Sequence, residues 1–183
     1  MARLDAGTLG TRARAIRLLL LDVDGVLTDG TVSMRGDGAE RKSFFIRDGA
    51  GIVMAQRAGL RVGLLSGRPS EATSRRAAEL GIAIVSQGGD KLDQYARILR
   101  ETEVDITQVA YMGDDLLDLP IFARAGIAGA PADAAEEVLA AAHWVSRFAG
   151  GRGAVRELTE LLLRATGQWD AIIAGLSRHH AGV

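Results

Sequence analysis

The feature that most constrains the fold of this chain is a rhythm. Short apolar runs bounded by Gly, Ser or Asp alternate with amphipathic stretches from one end to the other. The runs at 17–23, 60–66, 82–85, 109–113, 126–130 and 143–146 are of strand length, and their continuous hydrophobicity suits strands buried on both faces of a parallel sheet. The intervening stretches carry helix signals. Asp48 is placed to cap a helix over 50–58 that stops at Gly59, and Ser70 to cap one that ends at Gly81. Further helices are expected over 91–101, after Asp90, and over 132–142 and 154–165. Strand and helix alternating at this spacing predict one three-layer, doubly wound α/β domain spanning residues 1–183.

One segment breaks the rhythm. "TVSMRGDGAERKSFFI", residues 31–46, sets β-type residues on either side of the turn signal "RGDG" and predicts a small hairpin flap, with no room for a large cap domain. An isolated two-stranded ribbon is marginal in water, so docking on another subunit is expected. The tail over 167–183 has weak periodicity and is expected either to fray or to dock on a neighbour.

Composition narrows the function. Twenty-two basic against 23 acidic residues leave a net charge of −1, and no bulk positive field that would draw in nucleic acid. Cysteine is absent, which removes disulfides, thiolate metal sites and a cysteine nucleophile. The N-terminal apolar run, 16–21, is interrupted by Arg17 and is too short for an export signal or a membrane span, so a cytoplasmic location is expected.

In an open parallel sheet, ligands bind beyond the carboxyl ends of the strands. Asp22, Asp24 and Thr28 follow the first predicted strand, and "SGRPS", beginning at Ser66, follows the second. Lys91 comes after the third, and "GDDLLD", Gly113 to Asp118, after the fourth. Distant acids, a hydroxyl, an arginine and a lysine thus converge on one sheet edge. The acids Asp22, Asp24 and the Asp114 group offer the hard oxygen ligands that suit Mg²⁺. Ser66, the backbone N–H groups near Gly67, Arg68 and Lys91 offer donors and positive charge for a phosphate.

"DVDGVLTDG", "SGR", Lys91 and "GDDLLD" resemble, in order, the four motifs of the haloacid dehalogenase superfamily of phosphatases. The resemblance implies that Asp22 is a nucleophile forming an aspartyl-phosphate and that Asp24 is the general acid and base. It implies that Ser66 and Lys91 hold the phosphoryl oxygens. Asp22, the backbone carbonyl of Asp24, and Asp114 would bind Mg²⁺, with Asp115 and Asp118 orienting metal waters or Lys91 from behind.

The short chain, the hairpin, "FIRDGAGI" at 44–52 and "GGRGAVRE" at 150–157 narrow the likeness to the 3-deoxy-D-manno-octulosonate 8-phosphate (Kdo 8-phosphate) phosphatase family, over residues 16–167. That likeness implies hydrolysis of a sugar acid phosphate in lipopolysaccharide precursor biosynthesis, by a homotetramer whose neighbouring subunits cap each site. It places Phe45, Ile46, Arg47, Asp48, Gly49, Arg68, Arg76 and Arg152 near the sugar acid. Val53 departs from the pattern, standing where some members carry an arginine.

Blander readings stand beside these. Arg76 suits a plain solvated helix residue, with Arg75 competing for its assignment, and "GGRG" suits a simple flexible turn. Rival functions are a phosphatase for an N-acylneuraminate or deaminoneuraminate 9-phosphate, a receiver-like phospho-signalling module, and an idle partner subunit. A receiver carries its phospho-acceptor Asp after the third strand, where this chain has "SQGGDK".

Overall fold

The computed structural model describes residues 3–34, 36 and 40–178. Its strands are β1 (Leu18–Leu21), β2 (Ser33–Met34), β3 (Glu40–Arg41), β4 (Arg61–Ser66), β5 (Ile84–Gln87), β6 (Val109–Met112), β7 (Ile127–Ala130) and β8 (Trp144–Val145). Its helices are α1 (Ala6–Ala15), α2 (Ile46–Arg57), α3 (Glu71–Glu79), α4 (Lys91–Thr102), α5 (Leu119–Phe122), α6 (Glu136–Ala141), α7 (Ala154–Ala165) and α8 (Gln168–Arg178). Single 3₁₀ turns occupy Ile106–Gln108 and Leu116–Asp118.

Six strands form one parallel sheet in the order β5-β4-β1-β6-β7-β8. The sheet separates two apolar layers. Leu19 and Leu21 face the side that holds Ala13, Ile52, Ala77 and Leu158, whereas Leu18 and Leu20 face Tyr95, Ile98, Phe122 and Val138. All four leucines of β1 are fully buried. At about 2 kcal/mol for each buried leucine, this run anchors the centre of the molecule. A doubly wound three-layer α/β fold results, as the alternation of runs predicts.

From β1 the chain winds outward through β4 and β5, then returns to the other flank of β1 through β6, β7 and β8. The reversal leaves a crevice at the carboxyl end of β1, where such sheets bind ligands. Leu21 pairs with Leu64 on one side and Met112 on the other, so Asp22 is the first residue past the paired strand. Its N–H still donates to Met112 O at 2.9 Å, which fixes the carboxylate at the sheet's rim.

Several local expectations are corrected. Asp48 does not cap its own helix: α2 begins earlier, at Ile46 after Phe45, and Asp48 lies in its first turn. The carboxylate of Asp48 instead accepts from Gly153 N and Arg156 N, 3.3 and 2.8 Å away, at the start of α7. The helix expected over 132–142 is limited to α6, and α1 was not anticipated. Residues 168–178 of the tail form α8, with Arg156 and Arg164 both stacked on Trp169. The hairpin is a two-rung antiparallel ladder, Ser33 to Arg41 and Met34 to Glu40. Arg35, Asp37 and Gly38 of its "RGDG" turn lie outside the described residues.

Candidate active site

The crevice beyond β1 is a cavity of about 450 Å³ lined by Asp22, Asp24, Gly30, Ser66, Gly67, Arg68, Lys91, Asp114, Asp115 and Leu117. Residues from four separate strand ends therefore share one space. Lys91 stands at its centre. Its Nζ donates to Asp22 Oδ2 at 2.7 Å and to Asp118 Oδ1 at 2.6 Å. Asp22 Oδ1 accepts from Val23 N at 2.7 Å. Asp118 is wholly buried beneath the cavity, where its Oδ1 also accepts from Tyr111 Oη at 2.5 Å and its Oδ2 from the N–H groups of Asp114 and Asp115. Asp115 caps the short turn that follows, in a reciprocal arrangement with Asp118.

The electrostatics of this inner layer are unbalanced. Ligand oxygens of Asp22, Asp114 and Asp118 lie within 4.8 Å of one another. One ammonium, that of Lys91, bonds two of these three carboxylates, Asp22 and Asp118, so with all three ionised two negative charges stay uncompensated within the cluster. Burial raises the carboxyl of Asp22 to about 7, with Asp118 adding to the rise and Lys91 opposing it. Burial raises Asp114 to about 7 as well, reinforced by Asp22 and Asp118. Burial alone would lower the Lys91 ammonium, but Asp22 and Asp118 outweigh it and raise it, so this lysine stays cationic. Asp114 Oδ1 is buried with no hydrogen-bond partner among the described residues. Two hard carboxylates, Asp22 and Asp114, the unbonded buried oxygen of Asp114 and the excess negative charge that Asp118 adds from behind fit a divalent cation of the Mg²⁺ type.

The loop after β1 is shaped to admit Asp114. Gly25 has φ +82°, and a Cβ there would lie 1.8 Å from Asp114 Oδ2. The Gly150–Gly153 turn packs against the same loop. A Cβ on Gly150 would lie 1.8 Å from Gly25 O, and Gly151 N donates to Val26 O at 2.9 Å. Thr28 Oγ1 ties the loop together, accepting from Gly25 N and Gly30 N.

Over residues 73–158 the sequence matches the haloacid dehalogenase-like hydrolase family. It is 44% identical over 161 residues to 3-deoxy-D-manno-octulosonate 8-phosphate phosphatase of Salmonella typhi, an alignment covering 87% of this chain and 86% of that protein. The chain belongs to the 3-deoxy-D-manno-octulosonate 8-phosphate phosphatase family. Solved structures agree. The Yersinia pestis phosphatase superimposes with a TM-score of 0.87 at 41% identity, over 92% of this chain and 95% of that one. The Moraxella catarrhalis phosphatase, solved in complex with magnesium ion, phosphate ion and Kdo, superimposes with a TM-score of 0.91 at 35% identity, over 94% and 99% of the two chains.

The remaining residues singled out from the sequence fall into separate places around this family's core. Arg68 lines the cavity and approaches Asp24 at 3.7 Å while pairing with Glu40 at 2.9 Å. Phe45, Arg47 and Arg152 line a second hollow of about 390 Å³, together with Arg147, Phe148 and Arg156. Asp48 is buried beside it, bonded to Gly153 N and Arg156 N; Gly49 is buried against Arg76 and Leu80, and Ile46 is 75% exposed. Arg76 lines neither space. It pairs with Glu79 at 2.8 Å, stacks on Phe44, and occupies the room that the missing side chain of Gly49 leaves.

Two residues of the site escaped the sequence reading. Tyr111 reads as a strand residue, and only the fold brings its hydroxyl under Asp118. Lys42, directly after β3, donates to both carboxylate oxygens of Asp24, at 2.7 and 2.9 Å. A lysine one residue beyond a hairpin strand carries no local pattern that ties it to the first motif. The receiver-like alternative finds no support in this geometry: after β5 the carboxylate of Asp90 is spent capping α4 through Leu92 N and Asp93 N.

Proposed function

We propose that the protein is a Mg²⁺-dependent phosphatase that hydrolyses Kdo 8-phosphate to Kdo and inorganic phosphate. One observation carries the proposal: in a chain of this family, Asp22, Asp24, Ser66, Lys91 and Asp114 line one cavity at the carboxyl end of the central strand. When bound, the cation neutralises charge on the transferring phosphoryl group and keeps the cluster ionised. Asp22, Asp114 and the backbone carbonyl of Asp24 would hold it.

The chain's own residues supply the rest. Asp22 attacks phosphorus, and the bond from phosphorus to the sugar oxygen breaks with its electron pair on that oxygen, which takes a proton from Asp24. In the second half, Asp24 accepts a proton from water as the water oxygen attacks the aspartyl-phosphate. The electron pair of the broken bond returns to the Asp22 carboxylate. Lys91, the hydroxyl of Ser66 and the N–H groups around Gly67 hold phosphoryl oxygens in place. Asp118 and Tyr111 fix Lys91 from below, and Asp115 holds the turn that carries Asp118.

The sugar acid's carboxylate lies far from its phosphate. Arg47 and Arg152, in the second hollow with Phe45, offer guanidinium groups for it, Arg68 offers another from the rim of the first cavity, and Ile46, Asp48 and Gly49 carry the backbone next to Arg47. Arg76, which lines neither space, would act on this region only from behind, through its packing on Phe44 and beside Gly49. We propose further a homotetramer acting in the cytoplasm, in which neighbouring copies cover the exposed Val32, Met34 and Ile46 of the flap region. Among the described residues no helix is long and apolar enough to cross a membrane.

The test is phosphate release from Kdo 8-phosphate with and without Mg²⁺, beside N-acetylneuraminate 9-phosphate, ribose 5-phosphate and an Asp22→Asn control. Metal-dependent release from the Kdo ester alone, lost in the control, supports the reading. Release from the neuraminate ester alone moves the substrate, and release from none of them overturns the activity.

A further inference from the structure

Lys42 is, among the described residues of the flap region, the one whose charge is buried against the first motif. Its side chain is 0% exposed, and its ammonium meets three carboxylate oxygens: both of Asp24, and Glu40 Oε1 at 3.3 Å. An ammonium withdrawn from water is costly unless it is paired, so the location demands an account. Asp24 has no other side-chain hydrogen bond among the described residues. Arg68 approaches it at 3.7 Å but is itself bonded to Glu40. Asp24 sits on a loop rather than a strand, and its side chain is 27% exposed at the cavity wall. Among the described residues, then, Lys42 alone hydrogen-bonds this carboxylate and fixes its plane.

We propose that Lys42 is a positioning residue for proton transfer: it fixes the Asp24 carboxyl in the orientation that serves the departing sugar oxygen, and so makes the flap part of the leaving-group machinery. The inference rests on the reading of Asp24 as the general acid. The step it serves is the first one above, in which the oxygen that keeps the electron pair of the broken phosphorus–oxygen bond receives the Asp24 proton. Proton transfer works only within hydrogen-bond reach, and a misplacement of about an ångström can cost on the order of 10²-fold. A carboxyl released from Lys42 would turn toward Arg68 or solvent. The other half of the site, Asp22 with Lys91 and Asp118, is fixed independently by bonds from Lys91 at the start of α4 and from Tyr111 of β6 and would be untouched.

The leaving group gives the test. A sugar alkoxide needs its proton in the transition state, whereas p-nitrophenolate departs without one. We would measure kcat for Kdo 8-phosphate and for p-nitrophenyl phosphate, at saturating Mg²⁺, in the parent, Lys42→Met, Glu40→Gln and Asp24→Asn proteins. The expected result is a loss of about tenfold to a hundredfold in kcat on the sugar ester for Lys42→Met, with little change on the aryl ester. Asp24→Asn should show the same selectivity more strongly, and Glu40→Gln, which loosens the flap but leaves the Lys42–Asp24 bonds, should not show it. Equal losses on both esters in Lys42→Met would make Lys42 a mere staple of the flap and overturn the inference. An Asp24→Asn protein indifferent to the leaving group would instead overturn the role of Asp24. If Lys42→Met fails to fold, Lys42→Arg keeps the charge but displaces it, and the same ratio of the two losses decides.

Discussion

The two layers of this site are built in opposite ways. In the inner layer, at the sheet rim, Asp22, Lys91, Asp118 and Tyr111 are buried and each polar group is fixed by one or more bonds of 2.5 to 2.7 Å. In the outer layer, Arg47 and Arg152 stand exposed around an open hollow, and the ion pair of Arg152 to Asp29 is 3.6 Å long. The inner layer needs rigid placement because the chemistry depends on sub-ångström geometry and on charge held away from water. On the proposed function the outer layer recognises the sugar acid, and exposed guanidinium groups keep their charge while remaining free to adjust. On that proposal chemistry and selectivity sit on different supports, and substitutions should separate them.

The largest effect belongs to the inner layer. Asp22→Asn removes the attacking oxygen's charge and should lower kcat by on the order of 10⁴-fold or more on every ester tested. Residual turnover of one ester alone would break the idea that the inner layer is indifferent to the sugar. Next comes the double change Arg47→Ala with Arg152→Ala. It should raise KM for Kdo 8-phosphate by about tenfold to a hundredfold, the scale of one lost charge-assisted contact, and leave p-nitrophenyl phosphate turnover nearly unaltered. A parallel fall with the aryl ester would mean that the hollow supports the inner layer instead of selecting the sugar.

The same contrast explains what was legible in the sequence. All the parallel strands were: the central β1, β4, β6 and β7 because burial on both faces writes a continuous apolar run into them, and the edge strands β5 and β8 from short apolar runs that stay only partly buried. The place of the site was legible too, since the order of strands forces their carboxyl ends together. Side chains that act at a distance were not. Asp48 looks like a local cap in "FIRDGAGI", yet the N–H groups it serves lie more than a hundred residues away in sequence, at Gly153 and Arg156. Lys42 and Tyr111 are similar cases, ordinary in their own neighbourhoods and informative only once Asp24 and Asp118 are beside them. Helix α1 escaped for a different reason: only its Ala13 is buried, so it has almost no apolar stripe to read.

A smaller effect sharpens the account of charge. In the metal-free protein Asp22 and Asp114 have carboxyls raised to about 7 by burial and by their neighbours, against 3.8 for an ordinary Asp. A raised carboxyl favours the folded state while it is protonated. That contribution is fully present below about pH 4 and is lost as the pH climbs through about 7. Without Mg²⁺ the melting temperature should therefore fall between pH 5 and pH 8. Added Mg²⁺ should restore it, with a larger increment at pH 8, where no proton competes for the carboxylates. An increment independent of pH would mean that the cation does not replace those protons.

The smallest expected effect tests the joint between the layers. Asp48 follows Arg47 in α2, and its carboxylate accepts from the N–H groups of Gly153 and Arg156, so it ties the start of α2 to the turn that carries Arg152. The bond lies at a helix N-terminus, where a carboxylate also meets the favourable end of the helix dipole. Burial raises its carboxyl, against the pull of those two N–H groups, so the cap stands in a site that resists charge. Asp48→Ala should cost about 1–2 kcal/mol, a drop of only a few degrees in melting temperature for a chain of this size. Its kinetic signature should be larger than that loss suggests, because the two arginines are no longer held at a fixed separation. KM for Kdo 8-phosphate should rise severalfold, while kcat for p-nitrophenyl phosphate stays close to the parent value. Asp48→Asn, whose amide oxygen can still accept one of the two bonds, should fall between the two proteins. If Asp48→Ala instead lowers turnover of both esters alike, the outer layer's geometry is coupled to the inner one, and the separation of chemistry from selectivity fails at this residue.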